Sequence, residues 1–448
     1  MPNPLSDLTQ QLLDYATRAG ADQADAIAVD GTSISIDVRC GALEHADRSE
    51  GIDVGLRVII GQRQACVSSS DIKPDTLREM ADRAISMAKE APKDPYAGLA
   101  DPAQLAAMTD NYTLELYDPS EEPDPAKLQT DASRAEAAAL QNKGISQVQS
   151  ASAGYSHNRI HMSASNGFSA GYSRTSRGLS CVAISGTGAD MERDYDYDSR
   201  IFGTDLRDAT EIGIRAAARA VERSGARKPK TGAYPVLFDE RISSTLISQL
   251  LQASSGAAIA RGSSWLRHAM GEQVLPKGLS IIEDPHRVRT SSSRMFDAEG
   301  LPTASRAIVE DGILKGWTLD LANARKLGMD STGNAVRGTS APPSPSVSNV
   351  SLTQGTASRD DLIAQMGTGL LVTSMIGSTI NPNTGDYSRG ASGFWIENGQ
   401  ITYAINECTV AGNLRDMLMR ITPANDAQPH LSTVVPSLLV EGLTLAGD

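Results

Sequence analysis

Soft metal ligands are scarce in this chain: among 448 residues there are 6 His and 4 Cys. Aromatics make up only 4%, too few for extended platforms on which bases or sugars would stack. Cations are outnumbered, with Lys and Arg at 41 against 54 Asp and Glu, for a formal charge of −13. A nucleic-acid surface needs clustered cations to displace counterions, so direct DNA or RNA contact is not expected. No run of about 18 apolar residues occurs, and a membrane-spanning helix requires one. Met1 to Asp14 lacks the cationic start and apolar stretch of a signal peptide, so a cytoplasmic protein is expected. Cys40, Cys66, Cys181 and Cys408 form no CxxC pair. That excludes a zinc ribbon and a redox motif, and buried reduced thiols are the expected state.

What remains reads as a soluble globular chain, 40% hydrophobic and 21% charged, long enough for about two to three domains. Leu5, Leu8, Leu12 and Leu13 share one face of a short helix. Ile34, Ile36 and Val38 alternate with polar residues as in a half-buried strand. Val54–Ile60 and Ala65–Ser68 flank Gly61-Gln62 as a hairpin. Helices are predicted over Pro74–Ala91, Ala126–Asn142, Thr204–Ser224 and Ser243–Ala260. Ile145–Ser199 is strongly β-like, with a hairpin turn at Asn166-Gly167. Short strands follow at Tyr234–Phe238, Leu279–Ile282, Ser305–Val309, Leu370–Thr373, Gly393–Ile396 and Ile401–Ile405. Gly338–Ser348, rich in Pro and Ser, reads as a surface loop. The fold class is α+β. Residues 1–224 form an N-terminal domain of helices and antiparallel sheet. Residues 225–232 (GARKPKTG) are the linker, and residues 233–448 form a β-rich C-terminal domain.

Local motifs offer little chemistry. His157 and His161 form an HxxxH, but on a β-like segment they stand about 13 Å apart, and no Glu follows His157. Asp190, Glu192, Asp194, Asp196 and Asp198 alternate with other residues, which puts their carboxylates on one face of a strand. The favoured reading is a solvated face flanked by Arg193 and Arg200; the alternatives are a hard-cation site, a patch for a basic substrate segment, or a hydrolase using carboxylates such as Glu192 and Asp194. There is no GxSxG elbow and no P-loop. The stretch Asp386-Tyr387-Ser388-Arg389-Gly390 is distinctive, and Arg389 could pair locally with Asp386 or aim at a substrate carboxylate. Glu397-Asn398-Gly399-Gln400 reads as a hairpin turn.

The segment GDYSRGASGFWIENGQITYAINECTVAGNL, Gly385 to Leu414, resembles the C-terminal signature of the TldD/PmbA family, also called modulator of DNA gyrase or peptidase U62, in its PmbA (TldE) branch. Met191-Glu192-Arg193-Asp194-Tyr195 and Ala324-Arg325-Lys326-Leu327-Gly328, with Ser331-Thr332-Gly333, resemble the same branch. The resemblance covers nearly the whole chain. It implies a two-domain α+β subunit and a cytoplasmic complex with a TldD-type partner. The TldD branch is similar to a zinc metallopeptidase of unfolded or extended peptides, with roles in proteolysis and peptide maturation. Its site uses a helical HExxxH and a later Cys.

At the matching helix this sequence reads Thr245-Leu246-Ile247-Ser248-Gln249-Leu250, and at the later segment Thr433-Val434-Val435-Pro436. No zinc ligand carries over. The implied cofactor is therefore none in this chain, with zinc expected in the TldD-type partner. Asp386, Tyr387, Ser388, Arg389, Glu192, Arg193 and Asp194 are then candidates for a substrate groove or for a structural signature. A regulator of DNA gyrase without peptidase activity is the alternative. Whether the chain alone forms a homodimer is left open.

Overall fold

A computed structural model describes residues 5–447. The first part comprises α1 (Leu5–Ala19), β1 (Gln23–Arg39), β2 (Ala42–Ile60), β3 (Arg63–Ser69), α2 (Pro74–Glu90), α3 (Pro125–Leu140), β4 (Ile145–Ala164), β5 (Ser169–Ser185), β6 (Glu192–Arg200) and α4 (Ala209–Glu222). The strands form one antiparallel sheet of order β3-β2-β1-β4-β5-β6. Alternation along β1 decides the packing. Ala24, Ala26 and Ala28 meet α1 and α2, while Ile34, Ile36 and Val38 meet α3 and α4. All four helices therefore lie on one face, in two pairs. The opposite face, through Ile27, Met162 and Phe168, packs on Phe296 of the C-terminal part.

The second part comprises β7 (Gly232–Phe238), α5 (Glu240–Ala253), α6 (Gly256–Arg261), β8 (Ile281–Glu283), β9 (Arg306–Glu310), β10 (Ile313–Leu314), α7 (Leu321–Leu327), β11 (Ala335–Val336), β12 (Ser344–Pro345), β13 (Val350–Leu352), α8 (Arg359–Met366), β14 (Gly369–Ile380), β15 (Asp386–Glu397), β16 (Gln400–Asn413), α9 (Leu414–Leu418), β17 (Ile421–Pro423), β18 (Thr433–Val434) and β19 (Leu438–Ala446). Its main sheet has the order β16-β15-β14-β7-β19-β17, and β19 also pairs with β16, so the sheet closes on itself. A smaller sheet runs β10-β9-β8-β13-β18. Helix α5 lies in the core with Val236, Phe238, Leu370 and Val372, and α8 covers Leu237, Leu371 and Leu439 on the other side. The α+β class expected from the sequence is the one observed.

Three local expectations differ from the structure. The helix expected over Ser243–Ala260 is broken at Ser254-Ser255, because Ser254 O and Gly256 N pair with the Thr318 backbone. The Gly338–Ser348 loop contains β12, which pairs with β11. Of the cysteines, only Cys181 and Cys408 are buried, whereas Cys40 is exposed.

The two parts meet along a seam with polar contents. Arg57 Nε donates to Asp25 Oδ2 at 2.6 Å, and Arg337 pairs with the other oxygen of Asp25. Glu299 lies nearby, its carboxyl accepting from Leu321 N at 2.8 Å. Gly55 lies so close to Thr339 that any Cβ would overlap the Thr339 backbone.

Candidate functional site

Helix α5 begins at Asp239, whose carboxylate accepts from Arg241 N. Its apolar face, Leu246, Ile247 and Leu250, is fully buried. The other face carries Thr245, Ser248, Gln249 and Gln252. Thr245 Oγ1 donates back to Ile242 O at 2.6 Å and Ser248 Oγ to Ser244 O at 2.9 Å, which turns both hydroxyls onto the helix itself. A cleft of about 340 Å3 is lined by Ser248, Leu251, Gln252, Ser255 and Thr318 together with Thr433. The fold thus brings the second half of α5 close to the Thr433 segment, whereas Thr245 and Leu250, the positions that the HExxxH match would fill with imidazoles, lie outside this cleft: Thr245 bonds back to Ile242 O and Leu250 is fully buried. The polar groups that line the cleft are hydroxyls, the Gln252 amide and the Arg261 guanidinium. Catalytic zinc is held by about three imidazole, thiolate or carboxylate groups, and this set does not fit. Among the described residues, no group of three or more His, Cys, Asp or Glu could hold a metal ion.

The Asp386–Arg389 stretch lies on β15, paired with β14 and β16. Asp386 is exposed and accepts from Thr384 Oγ1 at 2.6 Å and from Asn413 Nδ2 at 3.1 Å, and these bonds hold its pKa down. Arg389 Nε donates to Gly377 O at 2.7 Å. The Arg389–Asp386 ion pair considered from the sequence is not among the described contacts. Ser388 is half-buried in the ladder opposite Ala411. Tyr387 is buried, and its hydroxyl donates to Met375 Sδ at 3.5 Å. Thr245 Oγ1 stands 4.0 Å from the same sulfur, so Tyr387 and Met375 together underpin α5. Burial raises the Tyr387 pKa and keeps the phenol neutral.

The acidic alternation on β6 overturns the reading as a solvated face. Asp194, Asp196 and Asp198 are buried, and it is Tyr195 and Tyr197 that face solvent. The inward face is covered by arginines from α4 and the residues flanking it, and from α5. Asp196 lies 2.7 Å from Arg219 Nη1 and 2.8 Å from Arg207 Nη1. Asp194 pairs with Arg241 at 3.0 Å and Arg223 at 3.5 Å, and Glu192 also faces Arg223. Arg223 Nη2 donates to Ser392 Oγ of β15 at 2.7 Å, and Asn406 of β16 donates to Glu192 at 2.7 Å. Glu192 and Asp194 therefore belong to a buried ionic seam between the two sheets. Arg193 points the other way, toward Gln149. Burial alone would lower the Arg241 guanidinium, but Asp194 and Asp239 outweigh it and its pKa is raised.

The same groups also cap the outer edge of β6. Arg219 donates to Tyr195 O at 3.0 Å and Arg207 to Tyr197 O at 2.7 Å, while Asp194 and Asp198 accept from Tyr195 N and Ser199 N. An exposed edge is open to pairing with another chain, and this one is blocked. The arginines were missed from the sequence, although Arg215, Arg219 and Arg223 recur every four residues on one helix face.

His157 and His161 sit on β4, on the face shared with Arg159. His161 Nδ1 meets Thr9 Oγ1 at 3.0 Å, and the His157 ring lies 5.0 Å from Tyr117. Each has its own partner, and burial lowers the pKa of both.

Comparison with known proteins agrees with this architecture. Residues 231–447 match the PmbA/TldA metallopeptidase C-terminal domain, residues 118–224 its central domain and residues 24–88 its domain 1. The metalloprotease PmbA of Escherichia coli O157:H7 is 35% identical over 430 residues, spanning 96% of this chain and 93% of its own length. The crystal structure of a putative modulator of DNA gyrase from Bacteroides thetaiotaomicron superposes with a TM-score of 0.90 at 28% identity, covering 99% of this chain and 98% of the other. TldE from Thermococcus kodakarensis shares the fold, with a TM-score of 0.85 at 22% identity over 98% of this chain and 99% of the other. With the three domain matches in sequence order and a relative aligned end to end, the chain belongs to the PmbA/TldD metallopeptidase family.

Proposed function

We propose that this chain is the non-catalytic, TldE-type subunit of a TldD/PmbA-type zinc metallopeptidase that acts on unfolded or extended peptides. In this reading it works in the cytoplasm as one half of a heterodimer with a TldD-type subunit. The partner carries the zinc, and the activity serves proteolysis or peptide maturation. One observation carries the proposal: the segments that the resemblance matches to the zinc ligands read Thr245-Leu246-Ile247-Ser248-Gln249-Leu250 and Thr433-Val434-Val435-Pro436, with no His, Cys, Asp or Glu in either. None of the residues present can replace water on zinc with the charge and softness of an imidazole or thiolate. The well-packed apolar face of α5 supports a helix kept for its packing. Arg389, Asp386 and Tyr387 hold β14, β15 and the turn before β15 in place, and we assign them a structural part. The −13 charge speaks against direct contact with DNA.

The proposal is tested by mixing. The purified chain alone should leave an extended peptide uncut and should hold less than about a tenth of an equivalent of zinc. Adding a TldD-type subunit with an intact HExxxH should produce chelator-sensitive cleavage. Turnover by this chain alone, abolished by a chelator, overturns the proposal.

A further inference from the structure

Strand β5 carries an uncapped stretch of edge. It pairs with β6 only from Arg177 onward, where Arg177 faces Arg200. Just before that, Thr175 N donates to Leu116 O at 3.0 Å, so Thr175 turns its amide away from β4. In an antiparallel strand, alternate residues direct both main-chain groups to the same side. The β4–β5 register runs without a shift from His157–Thr175 to Ser163–Ser169. Ser173, Gly171 and Ser169 therefore present N–H and C=O on the side of Leu116. Among the described residues, no other backbone group bonds to them there.

This edge opens into a cleft of about 740 Å3. It is lined by Gly171, Tyr172 and Ser173 of β5 together with Tyr112, Glu115 and Tyr117. Tyr112 is 88% exposed, so its ring is free to meet a ligand in the cleft. The charged groups of the cleft are already engaged: Arg159 pairs with Asp30, Glu115 with Arg289, and Asp110 accepts from Tyr112 N. What the cleft offers a ligand is main-chain hydrogen bonding between aromatic flanks.

We propose that the Ser169–Ser173 edge of β5 binds an extended peptide as an added strand, with Tyr112 and Tyr117 against its side chains. The ligand class is an unfolded segment read through its backbone, with little dependence on charge. This rests on the reading above only in taking extended peptides as what the complex handles. A second open edge, Ala42–Asp53 of β2, is a weaker candidate. It carries Glu44, Asp47, Glu50 and Asp53, and residues 42–51 are exposed.

The test uses the full-length chain and a blocked, fluorescein-labelled heptapeptide that alternates Thr and Val. Fluorescence anisotropy should show saturable binding at one site. Methylating alternate backbone amides of the peptide should weaken binding at least tenfold. Ser173→Pro should do the same, because its amide faces the cleft and edge proline is tolerated. Its melting temperature should stay within about 2 °C of the parent. If that variant does not fold, the methylated peptide on the unaltered chain decides.

Hydrogen exchange should show new protection at residues 109–117 and 169–175. A peptide alternating Lys and Glu should compete within about threefold. Absence of saturable binding, equal affinity for the methylated peptide, or protection confined to Ala42–Asp53 overturns the proposal. Zinc content and cleavage are measured on the same preparation. A chain that holds zinc and cuts peptide refutes the accessory-subunit reading, whereas a zinc-free chain that binds no peptide refutes the edge alone.

Discussion

Asp196→Ala is the perturbation that tests the ionic seam most sharply. The carboxylate is buried and serves Arg219 at 2.7 Å and Arg207 at 2.8 Å, with Arg215 at 3.9 Å. Removing one partner of a buried pair costs about 3–5 kcal/mol, since the remaining charge stays desolvated. Here the cost is reduced, because the Arg207 and Arg219 side chains are 23% and 18% exposed and keep the Tyr197 and Tyr195 carbonyls as acceptors. We expect about 3 kcal/mol for Asp196→Ala and about half of that for Asp196→Asn, which keeps an acceptor. Arg215→Ala should cost less than about 0.5 kcal/mol, as it removes a half-exposed pair at long range. For a module of this size, about 3 kcal/mol corresponds to roughly 6–12 °C in the melting of the N-terminal part. Calorimetry on the full chain, with tryptic mapping to assign the transition, reads this directly. A shift below 2 °C for Asp196→Ala would refute the claim that this carboxylate neutralises Arg207 and Arg219.

Other expectations concern the seam and the thiols. Burial, and then Asp297, push the Glu299 carboxyl up to about 8 from an ordinary 4.5. The folded chain therefore holds a proton that the unfolded chain releases, so stability linked to Glu299 is full below about pH 4.5 and is lost as pH rises through 8. Glu299→Gln should thus gain stability relative to the parent as pH goes from 6 to 9 in chemical denaturation, and a constant difference would contradict this. Gly55→Ala drives a methyl into the Thr339 backbone. It should destabilise the chain by at least about 2 kcal/mol and speed tryptic cleavage at the seam. Burial raises the Cys181 and Cys408 thiols to about 12 and about 11. A thiol reagent at pH 8 should label exposed Cys40 first, and these two only after unfolding.

Much of the fold was legible in the residues because it rests on local rules. The β2–β3 hairpin at Gly61, the Asn166-Gly167 turn and the turn at Asn398-Gly399 each place residues with positive φ where the chain reverses. Helix α2 follows from Pro74 and its apolar stripe. Features set by tertiary partners were not legible. The break at Ser254-Ser255 depends on the Thr318 backbone, some sixty residues later. The carboxylates of β6 alternate as solvent-facing residues would, and only the arginines brought over by α4, the residues flanking it and α5 make that face an interior. The open edge of β5 is invisible in sequence, since it arises where β6 is too short to cover its neighbour. The α5 position shows the opposite case. A missing imidazole is plain in the sequence, and the fold adds that Ser248 and Thr433 share one cleft.

The central claim is that the zinc on which peptide cleavage depends is not held by this chain. Elemental analysis of the complex formed with a TldD-type subunit tests it most directly, with the zinc assigned to each chain by native mass spectrometry. The account predicts one zinc per heterodimer, carried wholly by the partner and lost when the partner's HExxxH is altered. Zinc that stays with this chain under that alteration, together with residual peptide cleavage, contradicts it.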